Sequence, residues 1–192
     1  MLKKIVLASA SERRKEILAL TGLRFSTAES GIEERMSPGM PPRRLARRLS
    51  SQKAAAVAAR EKNAIIIAAD TFIIIKGRYL GKARDDAEAG AMLRALSGRQ
   101  HLVITGYTVI DSESGRRISG SSETKVHFRR LSKEEIGSYV RTGEPIGKAG
   151  AYAIQGLGAA LVRKIEGDFF NVVGLPLSAL LVTLKKFGIR LL

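Results

Sequence analysis

The sequence predicts an α/β protein built on a mixed sheet, and three observations predict it. Short, almost wholly apolar runs of strand length alternate with longer stretches of helical character. Two of the strand-like runs, HLVITGYTVI and SSETKVHF, flank the polar DSESGRR, the pattern of a long antiparallel hairpin, so the sheet is not purely parallel. The length of 192 residues, with 45% hydrophobic, suits one domain, or two closely packed lobes, with a substantial core.

The elements follow in order. Lys3 to Ala8 reads as a buried strand and Glu12 to Leu20 as a helix. PGMPPRR (Pro38–Arg44) is a breaker, and a long helix follows it from about Pro42 to Lys62. AIIIAADTFIII (Ala64–Ile75) is a buried strand interrupted at its centre, and KGR (Lys76–Arg78) is a turn. DDAEAGAMLRALSG is a helix capped by Asp85 or Asp86 and stopped at Gly98. SKEE (Ser132–Glu135) is a capping box, opening a helix that Gly143 closes. A glycine-rich loop then leads to ALVRKIEGDFFNVVG, read as a second hairpin, and the last helix runs from about Pro176 to Lys186. No repeat or low-complexity tract breaks the chain, so residues 1–192 are read as a single domain.

Composition narrows the function. The chain has no cysteine, so it has no disulfide framework, thiolate metal site or cysteine nucleophile. No stretch resembles a signal peptide or approaches the ~20 apolar residues of a membrane span. The net charge of +15 suits a nucleic acid or a small polyphosphate. Aromatics at 5% and the lack of Trp argue against a base-stacking platform and so against nucleic acid.

Three features misfit a purely structural reading. The first is Arg13–Arg14, just after Ser9 and Ser11 in LASASERRKEIL. On a wheel of about 100° per residue with Ile17 at zero, Arg14 falls near 60° and Arg13 near 320°, on the side of Leu18 and Leu20. The first turn of a helix is also electropositive and disfavours cations. Two guanidiniums beside free N–H groups make a phosphate site; the alternative is that both bend outward to water. The second feature is Lys53, within about 80° of Leu45 at the edge of the stripe Leu45–Leu49–Ala56, whereas Arg43, Arg44, Arg47 and Arg48 fall on the far side. The third is Asp70, set in an apolar run. A buried carboxylate must hold a metal, pair with a cation or end the strand at a cleft, unless it merely caps a turn. A metal would need a second carboxylate, and GIEER offers Glu33 and Glu34 in a loop. His101 and His127 lie in strand-like runs with no serine partner in view, and His/Cys metal spacing is absent. Oxygen ligands and cations remain, the equipment of phosphate chemistry with Mg²⁺ or Mn²⁺.

These stretches together resemble the Maf family of nucleoside triphosphate pyrophosphatases over nearly the whole chain. LASASERR is similar to its opening motif and AADT to its central one. GKARDDAEAGAMLRALSGRQHLVITG is similar to the third, and YVRTGEPIGKAGAYAIQGLGA with GDFFNVVGLPL to the last. The resemblance implies the fold of inosine-triphosphate pyrophosphatases: a mixed sheet with flanking helices in two lobes around a central cleft. It implies hydrolysis between the α and β phosphates, a divalent cation (Mg²⁺ or Mn²⁺), a cytoplasmic location and a homodimer. By position, Asp70 matches the family's proton acceptor. Ser9, Arg13, Arg14, Lys53 and Lys82 match its phosphate-binding positions. Glu34 matches its acidic loop residue, to be shared with Asp70 in catalysis or metal binding, and Lys148 lies in the last basic motif.

A subgroup acting on dTTP and UTP carries Arg, Thr and Gln at three discriminating positions, and this sequence resembles it with Arg13, Thr71 and Gln155. The alternatives are a 7-methyl-GTP-type or broad-specificity pyrophosphatase and, from a different class, a basic nucleic-acid-binding protein. Three positions depart from the family: Glu12 and Ala83 replace prolines, and Gly147 replaces an aspartate before KAG. The isosteric change Asp70→Asn is expected to remove most turnover and, by deleting a buried charge, to leave stability unchanged or raised.

Overall fold

The computed structural model describes residues 3–32 and 39–190. The chain forms two compact units. One holds the residues up to Asp70, Thr105–Ser122 and those from Gly174 on; the other holds Thr71–Ile104 and Glu123–Val173. The strands β1 (Lys4–Leu7), β2 (Ser26–Thr27), β3 (Ala64–Ile75), β4 (Arg78–Leu80), β5 (Gln100–Asp111), β6 (Arg117–Phe128) and β7 (Val162–Glu166) belong to one sheet. Its order is β2-β1-β3-β5-β6-β7, with β4 paired to β3 off this path. Parallel and antiparallel pairs both occur, as the sequence predicts.

In the first unit β1 runs parallel to both β2 and β3, with Lys4 opposite Ala64 and Leu7 opposite Ile67. Parallel strands covered on both faces are continuously apolar. That is why Val6, Leu7, Ile66, Ile67, Ala68 and Ala69 are all fully buried. The helix α1 (Glu12–Ala19) follows β1, and α2 (Pro42–Ala58) precedes β3. Pro42 at the first position of α2 gives up an N–H that would have had no helical partner, while the Leu45 N–H reaches the Pro41 carbonyl at 3.0 Å. Val6, Ala8, Ala54, Val57, Ile66, Ala68 and Ile110 form the core under α2. The helix lies so close to β5 that a Cβ on Gly106 would stand 2.6 Å from the Arg47 nitrogen. A helix α6 (Leu177–Lys185) completes the unit, burying Leu180 and Leu184.

The second unit opens with the β3–β4 hairpin, turned at Lys76 and Gly77 with φ of 48° and 74°. Positive φ at both central residues is the hairpin geometry that matches strand twist. The helix α3 (Asp86–Leu96) is capped by Asp85, whose carboxylate accepts the Glu88 N–H. The helix α4 (Lys133–Arg141) is opened by the complete capping box of Ser132 and Glu135. His101, Phe128 and Tyr152 form an edge-to-face aromatic cluster with centroids 4.8–5.5 Å apart.

Four expectations are corrected. The α2 helix ends at Ala58 rather than Lys62, because Asn63, at φ 49°, turns the chain into β3. The β3 strand is continuous through Asp70; the carboxylate does not interrupt it. Leu20 lies outside α1 and is 68% exposed, so the apolar face of that helix is Ile17 and Leu18. The residues ALVRKIEGDFFNVVG make no hairpin: β7 pairs with β6, and Asp168 then starts a short helix α5 (Phe169–Val173) by accepting the Phe170 N–H at 2.8 Å.

Candidate active site

In the first unit, β1 ends at Leu7 and delivers Ser9 just before α1. The α1 cap Ser11 makes no side-chain bond to the helix; its own N–H instead donates to Ser9 Oγ at 3.2 Å. Arg14 Nη1 donates to the same oxygen at 3.4 Å, and Arg14 Nε donates to the Gly174 carbonyl at 2.8 Å. Neither arginine bends fully outward: Arg13 and Arg14 are both half-buried. Glu12, at the departure from proline, places a carboxylate in this first turn and bonds Lys15 at 2.7 Å. It supplies the negative charge that a helix start favours.

Asp70 is 4% exposed and is paired with Lys53 Nζ. Of the three fates open to a buried carboxylate, the described structure contains the cation pair, and the turn-cap reading fails. Lys53 reaches Asp70 because it lies on the covered side of α2, whereas Arg43, Arg44, Arg47 and Arg48 are exposed. The pair changes the expectation for Asp70→Asn. Removing the carboxylate deprives a buried ammonium of the Asp70 charge, which destabilises. Thr71, the next residue of β3, is half-buried.

The second unit carries Lys82, Lys148 and Gln155. The Ala83 N–H donates to the Lys148 carbonyl at 3.3 Å, and the Gly147 N–H to the Ala83 carbonyl at 2.8 Å. These main-chain bonds join the segments of Lys82 and Lys148. A proline at 83 would forfeit the first of them. Gly147, at φ 72°, adopts a left-handed conformation that an aspartate tolerates less well. Gln155 is exposed at the end of the buried run Ala151–Ile154. Ala151 itself is wholly buried at φ 60°, a strained conformation for a residue with a Cβ and of the kind found at functional sites. Glu34, and with it Glu33, lies outside the described residues.

Two groups escape sequence reasoning. The Gly174 carbonyl holds Arg14 across 160 positions, and main-chain acceptors leave no residue-type signal. Glu144 gathers three donors in the second unit: Tyr139 Oη at 2.8 Å, the Leu157 N–H at 3.0 Å and the Gly158 N–H at 2.9 Å. Burial alone would raise its pKa, but these bonds and nearby Lys148 lower it below the usual carboxylate value. An acidic residue between Gly143 and Pro145 is the only hint the sequence contains.

The fold is that of an α/β protein with a mixed sheet and flanking helices. The chain superposes on the solved structure of a HAM1 protein from Coxiella burnetii with a TM-score of 0.55 at 20% identity, covering 97% of this chain and all of that one. The Maf-like protein family model matches residues 4–187, and the chain belongs to that family. A protein of Methanosarcina barkeri named dTTP/UTP pyrophosphatase is 50% identical over 99% of this chain and 97% of its own length. One of the same name from Pelotomaculum thermopropionicum is 46% identical over the full length of both. Among the described residues no helix is long and apolar enough to cross a membrane.

Proposed function

We propose that the chain hydrolyses dTTP and UTP at the α–β phosphoanhydride, releasing the nucleoside monophosphate and pyrophosphate. The observation that carries the chemistry is the buried Lys53–Asp70 pair. Attack of water on the α phosphorus needs a base for the water's proton and positive charge on the departing pyrophosphate. Asp70 accepts the proton. Lys53 turns from the carboxylate toward a phosphate oxygen when the triphosphate arrives, which releases the base as it stabilises the leaving group. Arg13 and Arg14, at the start of α1 with Ser9, neutralise phosphate charge, as do Lys82 and Lys148.

Mg²⁺ is usually held by one or two carboxylates together with substrate phosphates, and Asp70 is a donor of that kind. Among the described residues no three His, Cys, Asp or Glu side chains gather into a metal cage. Asp70 with Glu34 would hold Mg²⁺ or Mn²⁺, which supplies further neutralisation of the triphosphate. The reading includes a cytoplasmic homodimer, as the family resemblance implies.

The base preference rests on Arg13, Thr71 and Gln155 and on the similarity to proteins named dTTP/UTP pyrophosphatase. The uracil and thymine edge presents an N3–H between two carbonyls, and a glutamine amide offers a matching acceptor and donor. Cytosine reverses part of this pattern and leaves polar groups unpaired. A panel of dTTP, UTP, CTP, dATP and 7-methyl-GTP with Mg²⁺ or Mn²⁺, scored for pyrophosphate against phosphate, tests the reading. The expected outcome is pyrophosphate from dTTP and UTP well ahead of the rest. Preference for 7-methyl-GTP overturns the base assignment, and phosphate release overturns the bond assignment.

A further inference from the structure

The segment that carries Gln155 is pinned on both sides of that residue by one pair of side chains. Before it, the Ala153 N–H donates to Tyr139 Oη at 3.2 Å. After it, the Leu157 and Gly158 N–H groups donate to the two oxygens of Glu144. Tyr139 Oη closes the circuit by donating to Glu144 Oε1 at 2.8 Å. The α4 helix holds Tyr139 in place, 6% exposed. The fit tolerates no bulk. A Cβ on Gly156, at φ 110°, would stand 2.7 Å from Glu144 Oε2, and one on Gly158 would stand 2.5 Å from Tyr139 Oη. Between these tethers lie Ile154, Gln155 and Gly156, and Gln155 is exposed.

We propose that Glu144, with Tyr139, is a positioning residue for base recognition, fixing the backbone around Gln155 so that its amide is pre-set for the pyrimidine edge. The inference rests on the reading that Gln155 meets the base. A carboxylate is suited to the task because it accepts from two adjacent N–H groups and a phenol at once, and charge-assisted bonds are the stronger kind. An amide side chain at 144 keeps one acceptor oxygen but turns an NH₂ group toward donors. An amide held in place discriminates between base edges; one that swings adapts to either and loses the penalty for a mismatch.

The test compares Glu144→Gln, Tyr139→Phe, Gln155→Ala and the Glu144→Gln/Gln155→Ala double variant, with folding checked by circular dichroism. The readouts are kcat and KM for dTTP and for CTP. Glu144→Gln is expected to lower the dTTP-over-CTP ratio of kcat/KM by about tenfold, the effect of a lost charge-assisted bond. The loss falls mainly on KM for dTTP, since uniform binding is what is removed. Tyr139→Phe shifts the ratio in the same direction and carries the test if Glu144→Gln fails to fold. The double variant discriminates no worse than Gln155→Ala alone, because both act through one amide.

A Glu144→Gln enzyme that keeps the wild-type ratio while Gln155→Ala loses it overturns the positioning role and leaves the base reading standing. An equal fall in kcat for every nucleotide with the ratio intact reduces Glu144 to a structural cap and likewise overturns it. A wild-type ratio in Gln155→Ala overturns the base reading, and the Glu144 inference with it.

Discussion

At the scale of single residues, the Lys53–Asp70 pair is where chemistry and stability meet. Their side chains are 11% and 5% exposed, so neither charge is hydrated well enough to stand alone. Asp70→Asn is therefore expected to lose at least ~10²-fold in kcat as the base disappears. It is also expected to lose stability, by between ~1.5 kcal/mol for one charged hydrogen bond and ~5 kcal/mol for a broken buried pair. The Asp70→Asn/Lys53→Met double variant should recover most of that stability and none of the activity, since an apolar replacement of similar volume removes the buried ammonium. Urea midpoints of the three proteins measure this; an Asp70→Asn protein as stable as wild type would mean the pair does not hold α2 to β3. The sequence exposed both partners as misfits on apolar surfaces. It did not join them, because a helix wheel gives the direction of Lys53 but not the distance from α2 to the strand. That distance is set by Gly106, whose missing Cβ lets the helix backbone settle onto β5.

Elements whose signals are local were legible. The capping box of α4, the aspartate cap of α3 and the Lys76–Gly77 turn each depend on neighbours within four residues, and each stands where the residues indicate. The run ALVRKIEGDFFNVVG was misread because the partner of β7 is β6, an arrangement written nowhere in the run itself.

The aromatic cluster of the second unit shows the same limit and yields a prediction. His101 is 2% exposed and shares a 2.9 Å hydrogen bond with Tyr152 Oη. Burial, reinforced by His127, lowers its pKa to about 4 from 6.5, and burial raises that of Tyr152. The folded chain thus binds the His101 proton less readily than the unfolded chain does. Stability is full above pH 6.5, falls as the pH drops from 6.5 toward 4 and levels off below, for a total of about 3 kcal/mol at 1.36 kcal/mol per unit. His101→Gln is expected to lower stability at pH 7 and to flatten this part of the pH profile. Denaturation midpoints at pH 7 and pH 5 give the comparison; an equal fall with pH in the variant assigns the titration to another group.

Across the whole molecule the charge of +15 is larger than one triphosphate needs. Arg43, Arg44, Arg47 and Arg48 lie on the exposed side of α2 and add to the field around it. Such a field attracts anionic substrate and is screened over a Debye length of about 10 Å at 0.1 M salt. Raising KCl from ~50 to ~300 mM is expected to increase KM for dTTP severalfold with kcat unchanged. The Arg47→Ala/Arg48→Ala double variant should keep kcat within about twofold while its KM responds less to salt. Tight DNA binding at physiological salt with a steep salt slope would favour the nucleic-acid reading instead.

The bond from Arg14 to the Gly174 carbonyl also bears on the order of synthesis. The unit that contains both is assembled from three separated stretches of chain, the last beginning at Gly174. On a ribosome adding ~5–20 residues per second, Arg14 precedes its carbonyl by roughly ten to thirty seconds. A nascent chain therefore carries the first motif through 160 further residues before the carbonyl that accepts from its second arginine exists. The bond that fixes the Nε of that arginine therefore forms only after another 160 residues have been joined to the chain.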